Sequence, residues 1–314
     1  MTKVFIDGAE GTTGLKIYQR FENRRDIELV TIDPALRKDI SERKKLLNEA
    51  DIAFLCLPDS AAMEAIELIE NPEVRIIDTS TAHRTKEGWD YGFPELSKDH
   101  KKAIATGKRI AVPGCHATGF NAIVYPLIKE GIMGTDYPVS CFSVTGYSGG
   151  GKSMIKAYSS QEREVELNSP RQYGIKQDHK HLKEMKLIPG LQKEPLFTPI
   201  VADFYSGMTV TIPLFTSLLH KKLSVEELRA FFTDYYGEQR IIKVLSKDET
   251  MGNNGFIAAN TLSGMDTMEI IVDGNEERVI IVSRLDNLGK GASGAAMECM
   301  NVSLGLRPEV GLII

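Results

Sequence analysis

A cysteine beside a predicted turn is the first residue type in this chain that is suited to chemistry. Cys115 follows residues 111–114, an apolar run that ends in Pro-Gly, and a helical pattern begins just after it. Thr118 or Gly119 is predicted to cap that helix, which would place unpaired backbone N–H groups near the sulfur. Such a position stabilises a thiolate, the nucleophilic form of cysteine. The alternative is a small buried side chain at a strand–helix junction, because free cysteines are often buried.

Two histidines two residues apart form the second candidate group. His179 and His181 are followed by Glu184. One imidazole is suited to general acid/base work beside a thiolate, with Glu184 orienting the ring. A metal site is disfavoured because no third set of ligands has suitable spacing, so no metal is predicted. Two surface histidines in a lysine-rich segment remain the alternative interpretation.

A glycine-rich turn near the start of the chain predicts nucleotide binding. Gly8, Gly11 and Gly14 lie between a short apolar strand and a helix, where the backbone can approach a pyrophosphate at a helix N-terminus. Their spacing departs from GxGxxG, and glycines at such turns also occur for steric reasons. Asp33 after the second strand favours NAD, whereas Arg37 and Lys38 favour the 2′-phosphate of NADP. The residues alone leave that choice open.

A second glycine-rich stretch supports a rival function. Residues 146–153 match the P-loop pattern GxxxxGK[ST], and residues 270–273 could form a Walker B strand. A P-loop nucleotide hydrolase would leave Cys115 and the two histidines without a role, so it is the less favoured reading. The same glycines could instead cradle a phosphate of a cofactor or substrate.

The elements that must position these residues alternate between strands and helices up to about residue 119. Apolar strands are predicted near residues 4–6, 27–32, 52–57 and 74–77, with helices between them, which indicates a parallel sheet covered on both faces. Arg84 follows the fourth strand, where it could clamp an anion or lie solvated in a loop. Longer strands are predicted at 137–145, 197–201, 208–214, 240–245 and 268–272. Helices are predicted at 224–236 and near Gln161, with a tail helix over 291–306 that packs on the first domain.

Composition narrows the class of protein. The chain has 314 residues, a formal net charge of −5 and no basic cluster, which argues against nucleic acid as a main partner. No apolar run is long enough to span a bilayer, and the N-terminus shows no signal peptide. The four cysteines lie far apart, so neither a zinc site nor a disulfide framework is predicted. A soluble, reduced, cytoplasmic protein is expected.

Taken in order, these motifs resemble the N-acetyl-gamma-glutamyl-phosphate reductases of arginine biosynthesis, in their short (type 2) form. The shared series runs over nearly the whole chain. It comprises GxxGxxG from Gly8, the DxSxxxR run ending at Arg84, YGFPEL from Tyr91, PGCxxT around Cys115, SGGGK from Ser148, HxHxxE from His179 and the glycine-rich tail from Asp286.

The resemblance implies an α/β fold with a Rossmann-type parallel-sheet NADP domain and a mixed α+β catalytic domain of the semialdehyde-dehydrogenase type. Residues 1–117 with a C-terminal helix in 287–314 would bind the dinucleotide, and residues 118–286 would carry catalysis and oligomerisation. Cys115 would accept the acyl group while His179 and His181 supply the acid/base. The cofactor contacts would be Gly8, Gly11, Thr12, Thr13, Gly14, Ser148, Gly149 and Asn287, and the substrate contacts would be Arg84, His116 and Glu184.

The expected reaction is NADPH-dependent reductive dephosphorylation of N-acetyl-L-glutamyl 5-phosphate through a cysteine thioester. A homo-oligomer, dimer or tetramer, is expected from the resemblance alone. Reductases of aspartyl phosphate or of carrier-bound aminoadipyl phosphate share much of the pattern and stay as alternatives. Ser206 also stands where longer members often carry an arginine, so the residue that holds the substrate carboxylate is left open.

Overall fold

The protein is described from a computed structural model that covers residues 1–22, 24–251 and 254–314. The chain divides into two compact units, Met1–Pro113 with Ala292–Leu312 and Gly114–Gly291 with Ile313–Ile314. The predicted functional boundaries, residues 1–117 with 287–314 and residues 118–286, stay a prediction. Within the described residues, no helix has the length and apolar character that a membrane span requires.

The first unit is built on a six-stranded sheet in which every recorded strand pair is parallel. Its strands are β1 (Thr2–Asp7), β2 (Ile27–Val30), β3 (Ile52–Leu55), β4 (Arg75–Asp78), β5 (Asp90–Tyr91) and β6 (Arg109–Ala111), in the order β2-β1-β3-β4-β6-β5. Its first four helices are α1 (Thr12–Phe21), α2 (Ile40–Glu49), α3 (Asp59–Glu67) and α4 (Lys98–Thr106).

Both faces of this sheet are buried, as the apolar strands require. On β1, Val4 and Ile6 belong to one core cluster with Ile17 of α1. Phe5 points to the opposite face and belongs to a second cluster with Leu47 of α2. Side chains alternate along a strand, so apolar residues at successive positions indicate a sheet that is covered twice.

The second unit is built on a seven-stranded mixed sheet in the order β11-β12-β13-β10-β7-β9-β8. Its strands are β7 (Ser140–Gly146), β8 (Arg171–Gln172), β9 (Leu196–Ala202), β10 (Met208–Phe215), β11 (Ile242–Val244), β12 (Met268–Gly274) and β13 (Arg278–Leu285). Its helices are α5 (Cys115–Lys129), α6 (Gly151–Ser159), α7 (Leu182–Leu187), α8 (Val225–Tyr236) and α9 (Lys247–Met251). Helix α5 packs on β10 and β13, and α8 packs on β11 and β12.

Close packing at Gly119 fixes helix α5 against the sheet. A Cβ at this position would lie 2.5 Å from Ser283 Oγ and 2.6 Å from Val210 Cγ2. The Ser283 hydroxyl also donates a hydrogen bond of 3.0 Å to the Gly119 carbonyl. The helix therefore approaches β10 and β13 more closely than any larger residue would allow, which fixes its position on the sheet.

The last helical elements in the described part of the chain are a π-helical segment (Gly289–Ser293) and α10 (Gly294–Ser303). Helix α10 packs on α4 and β4, within the first unit. Every one of its residues is buried, in agreement with its small and apolar composition. The predicted tail helix and its return to the first unit are both confirmed.

The predicted fold class is confirmed, two local predictions are wrong and one central strand has no counterpart among the predictions. The strand predicted at 137–145 begins at Ser140, because Pro138 has no N–H to donate to a sheet. The helix predicted near Gln161 ends at Ser159, before a 3-10 turn at Val165–Asn168. Strand β13 was not predicted at all, although it forms the central ladder with β10 and β12.

Candidate active site

Cys115 is the first residue of helix α5 and is half-buried. The prediction that Thr118 or Gly119 caps this helix is wrong, because the extended backbone of Gly114 makes it the N-cap. Thr118 lies inside the first turn, where its N–H and its hydroxyl donate to the Gly114 carbonyl at 2.8 and 3.0 Å. Cys115 therefore lies in the turn whose N–H groups have no partner within the helix.

Two residues distant in sequence define the position of Cys115. Gly291 lies so close that a Cβ there would be 2.8 Å from Cys115 Cβ and 3.0 Å from the Asp286 carbonyl. The Glu184 carboxylate of α7 is 2% exposed and accepts a 3.2 Å hydrogen bond from the N–H of Gly114. The start of α5 is thus held by a carboxylate that also complements the positive end of the helix dipole.

Three imidazoles form one cluster in the second unit. His179 and His181 lie in the turn before α7, with ring centroids 4.7 Å apart in an edge-to-face arrangement. The ring of His116, the residue after Cys115, lies 5.5 Å from His179 and 5.4 Å from His181. Phe197 borders the cluster, 5.2 Å from His116. Within the described parts of the chain, no three acidic, cysteine or histidine residues are placed to hold a metal ion.

His116 has protein partners on both ring nitrogens. Nδ1 lies 2.7 Å from Ser143 Oγ, and Nε2 lies 2.9 Å from the hydroxyl of Tyr173. Burial, with the nearby charges of His179 and Lys180, lowers the pKa of His116 to about 3. Burial and the neighbouring Cys115 raise the pKa of Tyr173.

Tyr173 and Ser143 were not predicted as part of the site. Tyr173 precedes His179 by six residues with no regular element between them, and Ser143 reaches the cluster only through the pairing of β7 with β9 and β10. Neither position carries a local sequence signal. Tertiary contact alone identifies them.

Arg84 lies in the first unit and is only 9% exposed. Its Nε donates to the Val112 carbonyl at 2.8 Å, and Nη2 donates to the Thr79 carbonyl at 3.1 Å. Part of its hydrogen-bonding capacity therefore anchors the loop after β4 to the segment that follows β6. Its predicted contact with the substrate stays a prediction.

The predicted cofactor glycines surround the start of helix α1. Gly8 has a φ of +90°, and a Cβ there would lie 2.4 Å from the Cys56 carbonyl. A Cβ at Gly14 would lie 2.3 Å from the Gly8 carbonyl. Gly11 is the N-cap, and Thr12 and Thr13 begin the helix. The turn therefore requires glycine for its own geometry, and it leaves the helix N-terminus accessible to an anion.

A pocket of about 690 Å³ lies beside this turn in the first unit. Its lining includes Gly8 and the basic side chains of Arg37, Lys38 and Arg43. The Asp33 carboxylate accepts the N–H two residues ahead at 2.8 Å, which closes a local turn. Arg37 and Arg43 each form an ion pair with a carboxylate of the same lining. The size, the glycine turn and these basic side chains, which a phosphate could draw from their carboxylates, fit the phosphate-bearing half of a dinucleotide.

Three further predicted cofactor contacts cluster in the second unit. The Asn287 amide donates to Ser148 Oγ at 3.0 Å and accepts the N–H of Gly207 at 2.9 Å. A Cβ at Gly149 would lie 3.4 Å from Asn287 Nδ2. Residues from two distant motifs are thus joined around one buried amide.

The same region does not have P-loop geometry. The N–H groups of Gly146, Tyr147 and Ser148 donate to the carbonyls of Gly207, Phe204 and Tyr205, so they do not point at a phosphate. The predicted Walker B strand is β12, and strands β13 and β10 separate it from β7. A P-loop needs free backbone N–H groups and a nearby carboxylate for Mg²⁺. Here three N–H groups at the start of the loop bind backbone carbonyls, and the strand that would carry the carboxylate is not a neighbour of β7.

Comparison with known proteins identifies the family. A family model described as "Semialdehyde dehydrogenase, dimerisation domain" matches residues 115–287, and one described as "Semialdehyde dehydrogenase, NAD binding domain" matches residues 35–104. A protein of Trichormus variabilis named N-acetyl-gamma-glutamyl-phosphate reductase is 46% identical over 99% of each chain. The chain belongs to the N-acetyl-gamma-glutamyl-phosphate reductase family. A relative from Chelativorans with the same name is 43% identical over 97% of this chain and 99% of its own.

Solved structures of proteins with other names have a similar fold. A probable aspartate-semialdehyde dehydrogenase from Pseudomonas aeruginosa matches with a TM-score of 0.73 at 13% identity, over 96% of this chain and 98% of that one. Aspartate semialdehyde dehydrogenase II from Vibrio cholerae matches with a TM-score of 0.70 at 14% identity, over 97% and 98% of the two chains. The predicted resemblance and fold are confirmed. The chain is an oxidoreductase of a family that uses a nicotinamide cofactor.

Proposed function

We propose that this chain catalyses the NADPH-dependent reductive dephosphorylation of N-acetyl-L-glutamyl 5-phosphate to N-acetyl-L-glutamate 5-semialdehyde in arginine biosynthesis. The observation that carries the proposal is the position of Cys115, half-buried in the first turn of α5, in the unit that also holds the His179–His181 pair. The names of relatives at 40–46% identity favour this acyl group over aspartyl or aminoadipyl phosphate.

In the first step, the Cys115 thiolate attacks the acyl carbon of the substrate. The carbon–sulfur bond forms, the carbonyl electrons move to oxygen, and the tetrahedral intermediate then collapses and expels phosphate. The N–H groups in the first turn of α5 favour both the thiolate and the oxyanion, because the helix N-terminus carries partial positive charge. The product of this step is a thioester on Cys115.

In the second step, His179 or His181 handles the proton. A bound nicotinamide cofactor supplies the hydride that converts the thioester to a hemithioacetal. One imidazole then accepts the proton of the hemithioacetal oxygen as the carbon–sulfur bond breaks and the aldehyde leaves. His181 is 4% exposed and His179 is half-buried. Both rings lie about as far from the ring of His116, the residue after Cys115, so both are candidates for this role. Glu184 holds the N-cap of α5 through the Gly114 N–H.

Basic residues beside the glycine turn support NADP as the cofactor. Arg37 and Lys38 line the pocket next to Gly8, and Arg37 forms an ion pair with Glu10, which lines the same pocket. A 2′-phosphate would compete with Glu10 for that guanidinium. We expect Lys38→Ala to weaken NADP binding about tenfold while changing NAD binding little, since one charge-assisted contact contributes about 1.4 kcal/mol.

An open apolar sheet face supports a homodimer through the second unit. Helices α5 and α8 cover one face of the seven-stranded sheet. The pairing register places Phe142, Leu196, Phe215 and Ile280 together on the other face, where they are 47–60% exposed. Exposed apolar residues in one patch mark an interaction surface. A second copy of the chain is the expected partner, because the matched family model over residues 115–287 is described as a dimerisation domain.

A substitution on that face tests the dimer. We expect Phe142→Glu to shift the protein to a smaller species in sedimentation velocity, because the charge would be buried in the interface. Thr198, which faces Phe142 across β7 and β9, offers a milder control as Thr198→Ser. The predicted cytoplasmic location stays a prediction.

A single assay tests the reaction. The purified chain should reduce NADP with N-acetylglutamate semialdehyde only when phosphate or arsenate is present, and Cys115→Ala should abolish the activity. A panel with aspartate semialdehyde and aminoadipate semialdehyde derivatives tests the acyl group. Turnover of another semialdehyde in preference to N-acetylglutamate semialdehyde would reassign the substrate. Full activity in Cys115→Ala would reject the mechanism.

A further inference from the structure

Gln177, in the irregular segment between β8 and α7, has left-handed backbone geometry although it is not a glycine. Its φ is +57°, and the residue is half-buried. Left-handed geometry disfavours residues that carry a Cβ, so such a residue persists only where other contacts hold it in place. The contacts of Gln177 therefore indicate what the strained backbone serves.

The backbone leaves a sheet ladder unfinished beside this residue. Strands β8 and β9 pair antiparallel, and just after β8 the Tyr173 N–H donates to the Pro199 carbonyl at 3.0 Å. Antiparallel strands exchange backbone hydrogen bonds at every second residue, so Phe197 is the next residue of β9 in that ladder. Gly174, with a φ of +61°, turns the chain away before its backbone can pair with Phe197.

The primary amide of Gln177 supplies the missing pair of hydrogen bonds. Its Nε2 donates to the Phe197 carbonyl at 2.8 Å, and its Oε1 accepts the Phe197 N–H at 2.9 Å. A primary amide offers a donor and an acceptor side by side, as the backbone of a strand does. These two hydrogen bonds form an amide clamp between Gln177 and β9, and the clamp holds the strained residue in place.

Phe197 connects the amide clamp to the imidazoles. Its ring lies edge-on to the rings of His116 and His179, with centroid separations of 5.2 and 5.1 Å. His179 follows Gln177 by two residues, and its Nδ1 accepts the N–H of His181 at 3.2 Å. The residue whose backbone holds Gln177 therefore also packs its ring against His179.

The turn that carries the two candidate acid/base histidines is held at both ends. The amide clamp ties its start, at Gln177, to β9. At its end, Leu182 begins α7 and donates its N–H to the His179 carbonyl at 2.9 Å. Glu184 of the same helix accepts the Gly114 N–H at the N-cap of α5. The two imidazoles thus lie between one anchor on the sheet and one on the helix that begins with the nucleophile.

We infer that Gln177 is a positioning residue for the imidazole that accepts the proton of the hemithioacetal oxygen. The inference rests on the proposed function, because it concerns the step assigned there to His179 or His181. Proton transfer needs the ring within hydrogen-bonding reach of the reacting oxygen, and a displacement of about 1 Å slows a reaction by up to about a hundredfold. Gln177 has no titratable group, so it acts through the turn and not as an acid or a base.

Two substitutions remove the amide clamp in different ways. Gln177→Met keeps a long side chain that can neither donate to Phe197 nor accept from it. Gln177→Gly also removes the amide, but it relieves the left-handed backbone and so removes the clamp without adding strain. Gln172→Met is the matched control, because Gln172 is an exposed residue of β8 whose backbone pairs with β9. Thermal unfolding by circular dichroism establishes that each variant is folded.

Phosphate release without cofactor and steady-state turnover separate the two chemical steps. Mixing the protein with N-acetyl-L-glutamyl 5-phosphate alone reports attack by Cys115, because phosphate leaves in that step. Turnover in the presence of NADPH also includes the proton step. We expect Gln177→Met and Gln177→Gly to release phosphate at the rate of the unmodified protein, whereas their kcat should be about tenfold lower. Gln172→Met should match the unmodified protein in both measurements.

Two results would overturn the inference. One is a kcat of folded Gln177→Gly equal to that of Gln172→Met, since the turn would then hold the histidines without the amide. The other is equal slowing of phosphate release and turnover, which would mean that the clamp supports the fold in general. If the unmodified protein neither releases phosphate nor oxidises NADPH, the proposed function itself fails, so the two failures are distinguishable.

Discussion

The buried imidazole of His116 predicts a loss of stability in mild acid. Its pKa falls from 6.5 in the unfolded chain to about 3 in the folded protein, mainly because burial disfavours the charged ring. A base with a lowered folded pKa contributes stability that is fully present above pH 6.5. That contribution is lost as the pH falls toward 3, since the unfolded state binds the proton first.

The size of the effect follows from these two values. At pH 5 the unfolded chain holds the His116 proton and the folded chain does not. The free energy of unfolding is therefore about 2 kcal/mol lower at pH 5 than at pH 8. The perturbation is His116→Gln, which removes the titrating ring and keeps a polar side chain between Ser143 and Tyr173.

Urea denaturation followed by circular dichroism at pH 8 and pH 5 measures the difference. The unmodified protein should lose about 2 kcal/mol more between the two pH values than His116→Gln does. Other titrating groups contribute equally to both proteins, so only the difference of the two losses is compared. Equal losses would refute the reasoning, because they would mean that the ring takes up its proton in the folded state.

Three further predictions concern the two glycine contacts and the carboxylate at α5. Gly291→Ala should lower kcat more than tenfold in a folded protein, because its Cβ would press on Cys115 Cβ; steady-state assays with circular dichroism check this. Gly8→Ala should lower the free energy of unfolding by about 2 kcal/mol or more and weaken NADP binding, because the residue has a φ of +90°. Calorimetry measures the stability, and fluorescence titration measures the binding. Alkylation of Cys115 should be slower in Glu184→Ala than in Glu184→Gln, because both variants lose the charge but only the amide oxygen still accepts the Gly114 N–H; equal rates in the two variants would contradict the role.

Local patterns were sufficient to predict strands β1 to β4 of the first unit and the helices between them, but not β5 or α4. The strand–glycine turn–helix series from β1 to α1 and the apolar strands β3 and β4 were all readable from sequence, because a parallel sheet buried on both faces needs continuous apolar strands. Strand β13 has no counterpart among the predictions; the turn that joins it to β12 runs from Asn275 to Arg278 and has no Asn-Gly or Asp-Gly pair at its centre. The capping error at Thr118 arose because Gly114, which has no side chain to cap with, begins the helix instead.

The candidate site could be predicted only in part. Cys115, His179 and Glu184 belong to motifs that stand out in the sequence. The partners of His116 do not, since Ser143 and Tyr173 reach it only through the order of β7, β9 and β8 in the sheet. The buried pairing of Asn287 with Ser148 is equally non-local. Contacts of this kind depend on tertiary packing, which spacing along a chain does not encode.

The most direct test of the central claim is intact-protein and peptide mass spectrometry after mixing the chain with N-acetyl-L-glutamyl 5-phosphate in the absence of cofactor. We predict the release of one phosphate per chain and the addition of one N-acetylglutamyl group to the peptide that contains Cys115, removed when NADPH is added. Reduction of the acyl phosphate by the chain without any acyl group on Cys115, under conditions that trap thioesters, would contradict the mechanism.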